Sequence, residues 1–110
     1  MPSTIDAWLE ETHRSPRPYR EFLRVPNLSV GLYVLPVGAE DGQRPHGQDE
    51  VYHVVRGRAR FECGARGRPV GPGDVLFVRA REPHRFRSIE EELVLLVVFG
   101  PAEQEEASPP

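Results

Sequence analysis

Between Leu28 and Leu35, the apolar residues Val30, Leu32 and Val34 alternate with Gly31, Tyr33 and Leu35, and a period of two with both sides apolar predicts a strand covered on both faces. Tyr19–Val25 reads as the strand before it. Residues 51–55 are strongly β-branched and predict a third strand, Gly57 a turn, and residues 58–62 a return strand. In that return, Arg58, Arg60 and Glu62 form a wet face and Ala59 and Phe61 a dry one. Residues 63–68 read as a second turn and residues 70–74, Val-Gly-Pro-Gly-Asp, as a tight one. Val75–Val78 follows as a buried strand, 80–83 as a connection and 84–88 as a short strand. Glu90, Glu91 and Glu92 break the pattern, and 93–99 form a wholly apolar strand. Only the beginning of the chain has helical period. Ile5, Trp8 and Leu9 share a face, Ser3 is placed to cap it with Asp6 three residues on, and Pro16 and Pro18 oppose its continuation. Trp8 is expected to anchor that helix. About eight short strands and one helix predict an all-β fold: a sandwich, a jelly roll or a small barrel.

Composition narrows this further. A chain of 110 residues, 38% hydrophobic and 28% charged, supports one domain with a modest core. Its 12 prolines and 10 glycines lie between apolar runs, as turn punctuation. All 14 residues of the Lys+Arg total are arginines, which excludes Schiff-base chemistry on a lysine. The net charge of −3 is carried by Glu103, Glu105 and Glu106; without them, arginines and acids balance, and nothing points to nucleic acid. The lone Cys63 cannot form an internal disulfide and reads as an incidental thiol. No segment has the apolar length of a membrane span or the pattern of a signal peptide, so a cytoplasmic location is expected. The expected organisation is an N-terminal helix and proline-rich linker at 1–18, a barrel at 19–100 and a disordered acidic tail at 101–110.

Two stretches carry candidate chemistry. Arg44-Pro-His-Gly-Gln-Asp-Glu opens the third strand with His46 and Glu50, and the stretch from Gly73 to His84 ends on a second histidine. On a straight strand, residues four apart share a face but stand ~13 Å from one another, too far to share an ion. Pro45, Gly47 and the β-branched run argue against a helix, so a common site needs a bend, which Gly47 permits. His46, Glu50 and His84 would then supply a 2-His-1-carboxylate set suited to one divalent Fe, Mn, Ni or Zn ion. The alternative is a hydrogen-bonded polar cluster without metal, in which Glu50 could also act as a general base. Arg44, Arg79 and Arg81 could clamp an organic anion, or Arg79 and Arg81 could point to solvent or pair with Glu82 and Asp74. Tyr52 shares parity with Glu50 and, with Phe77 and Phe86, could line a substrate cavity or simply pack the core. His53 lies at an odd offset and should face outward, and His13 should be solvated. No Ser-His-Asp motif, phosphate loop or dinucleotide fingerprint is present.

The same stretches resemble the two motifs of the cupin superfamily. Gly38, His46, Glu50 and Gly57 fall at the spacing of the first, with Arg44 where its first histidine belongs. Gly73 and His84 match the second, in which Arg79, Arg81 and Ser88 replace a proline, a glycine and an asparagine. The resemblance covers roughly residues 28–100. It implies a single-domain jelly-roll barrel (a double-stranded β-helix) and the bend that would bring His46 to Glu50. It also implies a divalent metal, with Arg44 in the place of a fourth ligand, and often a homodimer. The functions it implies are those of metal-dependent dioxygenases, isomerases or cyclases acting on small molecules, with neither nucleic acid nor membrane as partner. The alternative is a non-catalytic module that binds an organic anion beside a degenerate metal site.

Overall fold

A computed structural model describes residues 4–42 and 45–102. Helix α1 spans Ile5–Arg14, and its N-cap is Thr4, whose hydroxyl accepts from the Ala7 amide at 3.2 Å. The predicted cap Ser3 lies outside the described residues. Ser15 ends the helix in extended conformation, ahead of Pro16. Six strands follow: β1 Tyr19–Val25, β2 Leu28–Leu35, β3 Asp49–Cys63, β4 Arg66–Val70, β5 Val75–Val78 and β6 His84–Gly100. They pair antiparallel in the order β1-β2-β6-β3-β4, with β5 pairing the first part of β3 on the same edge that β4 pairs further along. The fold is an all-β jelly roll with one short N-terminal helix.

Two strands are longer than the sequence predicts. Gly57 does not turn the chain: residues on both sides of it pair with β6, so 51–55 and 58–62 belong to one strand. Register shifts between Val54 and Arg60 mark bulges, and Gly57 sits among them at φ +97°. The inserted residues change the facing of the strand. Glu50, Tyr52 and Val54 are buried before the bulges, and Gly57, Ala59 and Phe61 after them. Strand β6 likewise runs through Glu90–Glu92, and its buried set changes from Phe86 to Leu93, Leu95, Val97 and Phe99. Ser88, at φ +51°, marks the irregularity. Residues 66–70, read as the end of one turn and the start of the next, form β4.

The inward faces build a core in which Tyr52 packs edge-on against Phe86 at 5.0 Å and Phe61 at 6.2 Å. A second core lies under α1, where Leu9 meets Leu32, Val34 and Val94. Burying Leu9 there contributes roughly 1.5–3 kcal/mol. Trp8 stacks on Phe22 at 4.7 Å, the anchor its position predicts. Phe77 is a correction. It is 61% exposed and lies opposite Val51, because Leu76 and Val78 take the inward positions of β5; it does not line the barrel. Ala102 is buried and its amide bonds to the Pro26 carbonyl at 3.3 Å; the rest of the predicted tail, residues 103–110, lies outside the described residues. Among the described residues, no helix is long and apolar enough to cross a membrane.

Candidate site in the barrel

Two long-range ties assemble the site. The Arg81 amide donates to the His46 carbonyl at 2.6 Å, and the Ala80 amide to Asp49 Oδ1 at 2.8 Å. The loop before β3 is thereby fastened to the connection before β6, which sets the start of β3 beside His84. Glu50 faces inward from β3, and its side chain and that of His84 are each 1% exposed. Their contact, His84 Nε2 to Glu50 Oε1, measures 3.2 Å.

The proton on His84 follows from its partners. Nδ1 lies 2.8 Å from the Glu82 carbonyl, which only accepts, so Nδ1 carries hydrogen. Nε2 then faces the carboxylate of Glu50 and, at 2.9 Å, the hydroxyl of Tyr52. Two acceptors, a carboxylate oxygen and an imidazole lone pair, repel at this distance unless a proton or a cation lies between them. Burial pulls the imidazole down, but the hydrogen bonds to Glu50 and the Glu82 carbonyl and the charges of Glu50 and Asp41 outweigh it and raise His84 above its ordinary value. Tyr52 is fully buried. Burial first, then the charge of Glu50 and a hydrogen bond to it, hold its phenol well above the usual range, so it stays a donor. Glu50 Oε2 is buried without a hydrogen-bond partner.

The His46 ring packs edge-on against Phe99 at 5.3 Å, and Phe99 is the cross-strand partner of Glu50. Among the described residues, no group of three His, Cys, Asp or Glu side chains stands close enough to hold an ion; Glu50 and His84 are the pair brought together. Tyr52 and Phe86 border them, as parity suggests. Arg44 lies outside the described residues. Arg79 and Arg81 are exposed, and neither pairs with Glu82 or Asp74: Asp74 accepts from the Gly71 amide at 2.8 Å, and Glu82 from Cys63.

The sequence reading missed Asp41. From the loop after β2, it accepts the Tyr33 hydroxyl at 2.6 Å and the Phe86 amide at 2.9 Å, and it adds negative charge near His84 and Tyr52. A loop of Pro, Gly and acids has no periodicity to tell an inward carboxylate from a solvated one; the absence of that signal explains the omission. Tyr33 answers Asp41: burial, then the carboxylate's charge and hydrogen bond, raise its phenol far above the ordinary value.

Cys63, opposite His84 at the strand end, is not a nucleophile in this setting. Burial, then the hydrogen bond to Glu82 Oε1 at 3.1 Å and that carboxylate's charge, push its thiol up to about 11. Iodoacetamide at pH 8 should therefore alkylate Cys63 at least about tenfold more slowly than free cysteine, with the rate climbing up to pH 10. Glu82→Gln should speed the reaction at pH 8. A rate equal to that of free cysteine would contradict this picture.

Comparison with known proteins extends the geometry. The sequence model of the cupin domain matches residues 31–99. An uncharacterized protein of Streptomyces coelicolor is 51% identical over 85 residues, covering 77% of this chain and 81% of its own length. Among solved structures, the DMSP lyase DddQ of Ruegeria pomeroyi superposes with a TM-score of 0.68 at 26% identity over 74% of this chain. The aligned part spans 42% of that lyase. An RmlC-like cupin of Shewanella frigidimarina has a TM-score of 0.71 at 21% identity, over 78% of this chain and 77% of its own, and shares the fold.

Proposed function

The chain belongs to the cupin family, and from that premise we propose that its barrel holds one divalent transition metal at Glu50 and His84, with His46 as third donor, and acts on a small organic molecule there. The observation that carries this is the Glu50 carboxylate: 1% exposed, one oxygen 3.2 Å from His84 Nε2 and the other buried without a partner. An unsatisfied buried carboxylate oxygen is costly, and a cation is the ligand that answers it. Glu50 and His84 suit the group as they stand, and His46 would have to move toward them to complete the set. The Glu82 carbonyl fixes the His84 tautomer so that Nε2 faces Glu50, the orientation that outer partners impose on metal-binding histidines. A bound ion would polarise a substrate oxygen or activate water or dioxygen.

The protein's own groups suit proton movement. Tyr52 offers a hydroxyl that stays protonated, 2.9 Å from a histidine able to take or give a proton at Nε2. Phe86 and Phe99 keep the surroundings apolar, which strengthens each polar contact. This arrangement favours acid–base chemistry of the isomerase, cyclase or lyase kind over redox chemistry, and a lyase among the structural relatives supports that preference. Arg44 at a ligand position of the first motif keeps the donor set at three.

The second reading is a metal-free binding module. It is favoured by the lack of a three-donor group among the described residues and by the proton that His84 can hold toward Glu50. Metal analysis of untagged protein purified without chelator separates the two. About one equivalent of Fe, Mn, Ni or Zn per chain is expected, and Glu50→Gln should lose it. If the protein carries no metal as isolated and takes none up when each of the four is offered, the metalloprotein reading fails and the binding module stands.

A further inference from the structure

A second polar site lies outside the barrel wall. The loop at 38–42 runs along the free edge of β6, tied by the Gly38 amide to the Ile89 carbonyl at 3.3 Å and by Asp41 to the Phe86 amide at 2.9 Å. Between this loop and the outer face of β3 and β6 is a cleft of about 570 Å³. That volume falls in the range of small-molecule sites. Phe86 and Ile89 lie at its base, and Arg60, Glu62, Arg85 and Arg87 line its side. The Phe86 ring also packs on Tyr52 and on Phe61, at 5.0 Å in both cases, so this residue stands between the cleft and the barrel site.

Charge decides what the cleft would take. Arg60 and Arg87 are directly opposed across β3 and β6, a like-charge pair that destabilises a sheet. The nearby carboxylates do not offset it fully. Glu62 is shared by Arg87 at 3.2 Å and Arg85 at 3.7 Å, and among the described residues Arg60 makes no ion pair. Both oxygens of Asp41 are engaged, by Tyr33 and by the Phe86 amide. Glu40 is exposed on the loop. Arg60 is also seated, because its guanidinium rests over Gly67, where a Cβ would stand 2.9 Å from Nη2. Planar guanidinium groups recognise oxyanions by paired hydrogen bonds.

We propose that this cleft binds a small molecule through an oxyanion, carboxylate or phosphate, held between Arg60 and Arg87. The site is independent of any metal in the barrel. Inorganic phosphate and succinate, each titrated into the full chain in chloride buffer by calorimetry, test it and distinguish the two oxyanions. At least one should bind saturably with a Kd of about 1 mM or tighter. Arg60→Gln and Arg87→Gln, both exposed positions that should fold, should each weaken that binding at least about tenfold, while added chelator leaves it unchanged. Lack of saturable binding by both probes, binding indifferent to both substitutions, or binding abolished by chelator would overturn the proposal.

Discussion

Gly57→Val is expected to lower the free energy of unfolding by about 3 kcal/mol or more, from strain and backbone overlap together. Gly57 has φ +97°, which a β-branched residue rarely adopts. A Cβ there would also run into the backbone of β6 at Glu92 and Leu93, which cannot give way as a flexible side chain can. Gly73 is the control. Its φ is +94°, but a Cβ there meets nothing within 4 Å. Gly73→Val should therefore show the strain without the overlap and cost about 1–2 kcal/mol. Urea denaturation of the three proteins measures both effects. Equal losses at the two glycines would mean that the close approach of β3 to β6 is not what Gly57 provides.

His84→Ala has the other large effect. In metal-free protein, it leaves Glu50 buried beside Tyr52 with no cationic partner, a change of the kind that costs about 3–5 kcal/mol. The second substitution tells charge from cavity. In Glu50→Leu/His84→Ala the carboxylate is gone, and stability should return by at least about 1 kcal/mol relative to His84→Ala alone, a coupling expected of residues in contact. If His84→Ala unfolds within about 1 kcal/mol of the parent, the pair is not the buried ionic contact described here. If the double variant is no more stable than the single one, the loss came from the space left by the imidazole.

Both experiments address places where sequence and structure part. The inward parity of Glu50 and Tyr52 and the outward parity of His53 are legible from alternation alone, since a strand has one side-chain period. Gly57 is different. A glycine between two alternating runs signals a hairpin turn and a bulge equally well, and the choice rests on whether the runs pair with each other or both with a third strand. Here both pair with β6, and the bulges exchange the buried parity from Tyr52 and Val54 to Ala59 and Phe61. The three glutamates of β6 mislead for the same reason. Glu90 and Glu91 are exposed where β6 passes the register shifts of β3, and Glu91 lies opposite Arg58, so their polarity marks an irregular stretch of a continuing strand and not an end. Phe77 is apolar and near a motif, yet its alternation with Leu76 and Val78 places it on the outer face.

The sequence by itself determined the all-β class, the helix that Trp8 anchors, and the two motif stretches that carry Glu50 and His84, because spacing and period are local properties of the chain. The tertiary structure alone decided that Glu50 and His84 meet at 3.2 Å, that Asp41 enters from a loop to hold Tyr33 and the Phe86 amide, and that Arg60 and Arg87 stand opposed over an outer cleft. Apart from Asp41 and Tyr33, which are 8 positions apart, these contacts join residues 34, 45 and 27 positions apart in the chain. Cross-strand register and the ties from Arg81 to His46 and from Ala80 to Asp49 fix them, and neither is written in any one segment.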